Sequence, residues 1–189
     1  MQSARMACMA LALLAAPAGA ASAAEELAVS VERKGAWFAV RAHAMVAAPV
    51  ALVWQVLTDY ENIPQFIPGI ARSVLLMRAQ DRVLLEQQGE ARFFLFSFPI
   101  VVRYEVQEAA PHWLASRAVS GNLRRMSGRY DLNPNAVRPG VQIDYTGEIE
   151  PDFDLPPLIG PFVLRSMVRE QFTAMIDEIE RRALGGERP

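Results

Sequence analysis

The sequence predicts an α+β fold, an antiparallel meander whose apolar face is covered by one long amphipathic helix. Three observations predict it. Successive stretches alternate apolar and polar residues at hairpin spacing, the stretch from Leu158 to Leu184 carries apolar residues at helical spacing, and no repeat, low-complexity tract or linker divides the chain.

Each element follows from local pattern. Val29 to Arg33 and Trp37 to Met45 are β-rich and separated by Lys34-Gly35, and Ala47-Ala48-Pro49 ends the second. Pro49 suits a helix start, and Val50, Val53, Trp54 and Leu57 then form an apolar stripe. The loop that follows carries Ile63, Phe66, Ile67 and Ile70 around Pro64 and Pro68. Loops run over the surface because their backbone polar groups need water, so an apolar loop covers something apolar.

Ser73 to Arg78 and Val83 to Glu90 read as a hairpin turning at Gln80-Asp81. Phe93 to Phe98 continues as strand, but the apolar run Phe93-Phe94-Leu95-Phe96 defeats alternation and leaves the register open. Pro99 is read as an interruption before Ile100 to Val106, where Ile100, Val102, Tyr104 and Val106 share one face. After Pro111, the runs Trp113 to Val119, Leu123 to Leu132 and Val141 to Ile149 alternate, punctuated by Gly121-Asn122 and Asn133-Pro134-Asn135. In the last run Val141, Ile143, Tyr145, Gly147 and Ile149 face one way. Pro151 to Pro157 is a stiff connector into the long helix, which tolerates Pro161 only near its start. Its stripe is Leu164, Met167, Val168, Phe172, Met175, Ile176 and Ile179, and Gly185-Gly186 ends it. A twisted sheet wrapped around one helix closes poorly along its length, so a cavity is expected between them, with greasy loops at its mouth.

Residues 1–23 read as a secretory signal peptide: Arg5, an apolar run from Ala7 to Ala16 too short to span a bilayer, and an A-x-A site at Ala21-Ser22-Ala23, with Ala18-Gly19-Ala20 as an earlier option. A single domain over 24–189 is expected, exported, and periplasmic if the source is Gram-negative. Cys8 leaves with the signal, so no disulfide or thiolate site is expected. Lys and Arg total 19 against 21 Asp and Glu, and losing Arg5 makes the balance more acidic, which argues against a nucleic-acid partner.

Catalytic groups are sparse. His43 and His112 have no Ser, Asp or Glu partner at a recognisable spacing, and no G-x-S-x-G elbow occurs. Glu148, Glu150, Asp152 and Asp154 lack the pattern of a calcium loop, so no metal is expected, and no cofactor. Alternation places Arg125 and Arg129 on the wet face but Arg124 on the inward face with Met126, Gly128, Tyr130 and Leu132. Two roles are open for Arg124: snorkelling to solvent from the rim, or orienting a ligand inside. Tyr104, Tyr130 and Tyr145 also face inward, as core residues or as donors to a ligand oxygen. Phe153, Leu155, Leu158, Ile159 and Phe162 form a second greasy patch, which packs the helix or serves as a portal touching membrane.

The strings "APVALVWQVLTDYENIPQFIPGI", "GNLRRMSGRYDL" and "EIEPDFDLPPLIGPFVLRSMVREQF" resemble the START-like (SRPBCC) superfamily, in its bacterial polyketide cyclase/dehydrase and coenzyme-Q-binding-like branch. The resemblance implies a helix-grip fold: a seven-stranded antiparallel sheet curled around a C-terminal helix, with two short helices after the first strand. It also implies a cavity for a lipid-like or aromatic molecule, while a shared fold does not choose among functions. The expected function is binding of a hydrophobic small molecule (a lipid, an isoprenoid quinone or similar) for transport or chaperoning, by a monomer, with the question of enzymatic activity left open. The expected ligand-binding residues are Trp54, Phe66, Ile67, Tyr104, Arg124, Met126, Tyr130, Tyr145, Phe153, Leu164, Met167 and Val168. The alternatives are a cyclase or dehydratase using Arg124, Tyr130 and Tyr145, and a protein-interaction module.

Overall fold

The computed structural model describes residues 27–93, 96–135, 139–152 and 160–185. The signal-peptide stretch, Cys8, Phe153, Asp154, Leu155, Leu158 and Ile159 lie outside the described residues.

The chain begins with a hairpin, β1 (Ala28–Lys34) and β2 (Trp37–Val46), closed where Gly35 takes φ +69°, a left-handed conformation that costs glycine little. Helix α1 (Val50–Leu57) and a single 3-10 turn (Ile63–Gln65) follow, and then β3 (Ile70–Ala79), β4 (Arg82–Phe93), β5 (Phe96–Ala109), β6 (Trp113–Gly121), β7 (Leu123–Pro134) and β8 (Val141–Pro151). Helix α2 (Gly160–Ala183) closes the fold, with Pro161 in its first turn, where a missing N–H breaks no helical bond. All neighbouring strands pair antiparallel in one open sheet, in the order β1-β2-β8-β7-β6-β5-β4-β3.

The sheet therefore has eight strands rather than the seven expected, and the short helices follow the second strand, not the first. The turn at Gly35 is the reason, because it folds the N-terminal extended segment back on itself before α1 begins. Pro99 also does not interrupt: β5 runs through it, paired with Glu90 of β4. The Pro99 carbonyl accepts from Asn122 Nδ2 at 2.6 Å, on the β6 side. A strand residue presents its N and O to the same side, so the missing N–H faces away from β4 and costs that ladder nothing. The β5-β6 register ends at Gly121, and Asn122 continues the contact from both its groups: its N–H donates to the Val101 carbonyl at 3.0 Å and its Oδ1 accepts from the Val101 N–H at 2.9 Å. The register left open by the apolar run is a direct hairpin, with Phe93 opposite Phe96.

Irregular pairings between Ile70 and Arg72, Leu75 and Met77, Arg103 and Tyr104, and Leu123 and Arg125 add local twist. Two packed clusters result. One joins α2 to β1, β2, β8 and α1 through Val29, Val40, Val53, Ile143, Phe172, Ile176 and Ile179. The other joins Tyr60 to the β4-β5-β6 face through Val83, Leu85, Val102, Tyr104, Val106 and Leu114. Trp54, Leu57 and Tyr130 pack against both.

Candidate functional site

Between the two clusters lies a cavity of about 320 Å³, bounded by the concave sheet face, α2 and the loop after α1. The volume falls at the lower end of small-molecule sites. The apolar loop is its wall: Tyr60, Ile63, Phe66, Ile67 and Ile70 all line it, which explains why a loop carries so much apolar surface. Two contacts hold the loop to the sheet. The Glu90 N–H donates to the Gly69 carbonyl at 2.9 Å, and a Cβ on Gly89 would stand 2.0 Å from that carbonyl, so only glycine lets the loop dock here. Tyr60 is buried and donates to Glu108 Oε1 at 2.7 Å, while Arg78 Nη1 donates to the other oxygen at 3.0 Å.

The expected residues Phe66, Ile67, Tyr104, Met126, Tyr130, Tyr145, Leu164, Met167 and Val168 all line the cavity. Trp54 does not. It sits behind the wall, packed between the two clusters. Arg124 is also absent from the wall, and its inward placement needs correction. The β7-β8 register pairs Leu123 with Pro151 but Arg125 with Glu150, so β7 carries one extra residue there. This bulge turns Leu123 into the cavity and sends Arg124 to solvent, where its Nε donates to Asp152 Oδ1 at 2.7 Å. Strict alternation cannot anticipate such a slip.

Three tyrosines shape the inner end. Tyr130 and Tyr145 pair across β7 and β8, with ring centroids 4.6 Å apart, and both rings contact Phe172 of α2. Gly128 and Gly147 face each other on the same two strands, and the Tyr145 ring lies over both: a Cβ would meet the hydroxyl at 2.5 Å from Gly128 and 2.4 Å from Gly147. The paired glycines are thus the sequence signal for a ring lying flat on the sheet. Burial pushes the Tyr145 phenol up to about 12, and Tyr104 and Tyr130 higher still, with neighbouring phenols adding to the effect. All three are neutral hydrogen-bond donors under physiological conditions. Tyr104 donates to Met126 Sδ at 3.2 Å, a weak acceptor.

Charge is confined to the rim. Among the described residues that line the cavity only Glu90 and Arg92 are ionisable at neutral pH, and they pair with one another where Arg92 is exposed. Pattern reading missed Gln87, Gln171, Phe172 and Met175 as wall residues; Phe172 and Met175 were legible only as helix core. It also missed a partner for His43, whose Nδ1 lies 2.8 Å from Asp144 Oδ1 across paired β2 and β8 on the outer face. No spacing rule detects two residues brought together by strand register. Against partial burial, hydrogen bonds from His43, Gln142 and Asn133 hold the Asp144 carboxyl below its usual range. His112 is exposed in its turn. Glu148 and Glu150 lie beside Arg125, at 3.2 and 3.9 Å.

The fold recurs in solved structures. Zhui aromatase/cyclase from Streptomyces sp. R1128 superposes with a TM-score of 0.65 at 20% identity, covering 80% of this chain and 99% of that one. A STAR-related lipid transfer protein from Xanthomonas axonopodis gives 0.66 at 18%, covering 85% and 97%. A START superfamily protein from Mycobacterium smegmatis gives 0.65 at 17%, covering 76% and 98%. At these identities the likeness establishes the START-like fold alone. No curated protein matches the chain. The family model for polyketide cyclase / dehydrase and lipid transport matches residues 46–176, a span from the end of β2 into the second half of α2 that holds every described wall residue, and the chain belongs to that family.

Proposed function

We propose that this protein is an exported, monomeric binder of a hydrophobic small molecule, a lipid, an isoprenoid quinone or similar, which it transports or chaperones. The observation that carries the reading is the cavity of about 320 Å³, walled mainly by apolar side chains in an otherwise well-packed fold. Burying a ligand there is favourable at about 25 cal/mol per Å² of apolar surface. The family's description includes lipid transport, and a lipid transfer protein shares the fold. The cyclase reading draws on the same description and on the aromatase/cyclase neighbour, but it loses the cation it relied on, since Arg124 is outside and paired with Asp152. Export rests on the signal-like residues 1–23. Phe162, exposed in the first turn of α2, supports transient membrane contact during loading through the Phe153 to Phe162 segment.

Native mass spectrometry of the secreted protein, followed by organic extraction, tests this. The expected result is a non-covalent small-molecule adduct on a chain that starts near Ala24. A protein that is retained in the cytoplasm with residues 1–23 intact overturns the export reading. One that carries no adduct and takes up no lipid or quinone overturns the carrier reading.

A further inference from the structure

The phenols at the inner end of the cavity differ in their hydrogen bonding. Tyr104 donates to Met126, but among the described residues the Tyr130 and Tyr145 hydroxyls have no hydrogen-bond partner. No fully enclosed side-chain oxygen or nitrogen is left unsatisfied in the described residues, so both hydroxyls border open space, and the space their side chains line is the cavity. A phenol so placed needs an acceptor from whatever fills that space.

We propose that Tyr130 and Tyr145 form a hydrogen-bond-donating seat for the uncharged carbonyl oxygen of a ketone-, ester- or quinone-type ligand, which enters head first with its hydrocarbon tail toward the Glu90–Arg92 rim. This rests on the carrier reading and makes it more specific, because it names the head group and its direction. Charge selects the class. A carboxylate or phosphate at the inner end would meet no cation among the described wall residues, since Arg92 lies at the rim and is engaged by Glu90. A plain hydrocarbon would leave both hydroxyls unpaired. A carbonyl satisfies them without bringing in charge. Burial keeps both phenols protonated, so they donate to a carbonyl and supply no negative charge to balance a cationic head. The rings are fixed by each other, by Phe172 and, for Tyr145, by the two glycines beneath it, so the donors are preorganised.

The test is displacement of a neutral naphthylamine dye by three chains of matched length: undecyl methyl ketone, tridecane, and dodecanoate at about pH 8, where the acid is ionised. Each is measured on the secreted protein, on Tyr130→Phe, on Tyr145→Phe and on the double variant, which keep the rings and remove only the hydroxyls. The ketone is expected to bind most tightly and to weaken roughly fivefold for each hydroxyl removed, the order one neutral hydrogen bond supplies, while tridecane is unaffected. If tridecane binds but the ketone is no tighter, or the double variant binds ketone as the parent does, the seat is wrong and the carrier reading stands. If dodecanoate binds most tightly, the head group is anionic and the seat is again wrong. If neither the dye nor any of the three chains binds, both readings fall.

Discussion

Arg182 near the end of α2 donates from Nη2 to Asp59 Oδ2 over 2.7 Å, tying the helix that closes the sheet to the start of the apolar loop. The same guanidinium donates through Nε at 2.7 Å to Glu178, which is only 4% exposed and also held by Arg181. Asp59 and Tyr60, adjacent in the sequence, thus supply two anchors of the cavity wall: Asp59 to the helix and Tyr60 to the sheet through Glu108.

Arg182→Gln should therefore loosen the wall. The variant removes the Arg182 contacts to buried Glu178 and to Asp59. Since the pair is partly exposed, the loss should be about 1–2 kcal/mol rather than that of a fully buried pair. Urea unfolding measures it, and faster dye release from the cavity should accompany it.

Removing the acceptor of Tyr60 tests the other anchor. Glu108→Ala strands a buried hydroxyl and should cost about 1–3 kcal/mol, whereas Glu108→Gln keeps an oxygen for it and should cost less. Equal losses in the two variants by urea unfolding would show that the hydrogen bond is not what holds Tyr60.

The notch beneath Tyr145 makes a steric prediction. Gly147→Ala drives a methyl into the ring, which is confined by Tyr130 and Phe172, and should destabilise the fold by about 1–3 kcal/mol while narrowing the cavity. Thermal unfolding and dye-binding stoichiometry check both effects.

Alkaline pH should unfold the protein cooperatively. All four tyrosines have raised phenol values: Tyr145 about 12, and Tyr60, Tyr104 and Tyr130 higher, each chiefly through burial. An unfolded phenol ionises near 10, so between about pH 10 and 12 the native state holds protons that the unfolded chain has released. The contribution is complete below about pH 10 and falls as pH rises. Ultraviolet titration should show no tyrosinate until the chain unfolds, and then all four together. A phenol titrating near pH 10 in the folded protein would contradict the burial.

Arg124→Ala should leave ligand binding unchanged and alter stability by less than about 1 kcal/mol, as for an exposed ion pair. A large loss of binding would place this side chain back at the site.

The sequence by itself determined the class of fold, most of the strands, the helical stripe of α2 and the greasy loop, because period and punctuation are local properties of neighbouring residues. Tyr104, Tyr130 and Tyr145 were legible as inward-facing for the same reason. Tertiary structure decided what depends on pairing between distant segments. The bulge at Arg124 exists only in the register of β7 against β8, the continuity of β5 through Pro99 depends on which side lacks a partner, and the meeting of His43 with Asp144 depends on β2 lying beside β8. The two phenols that lack an acceptor among the described residues acquire that meaning only when sheet, helix and loop close around one space.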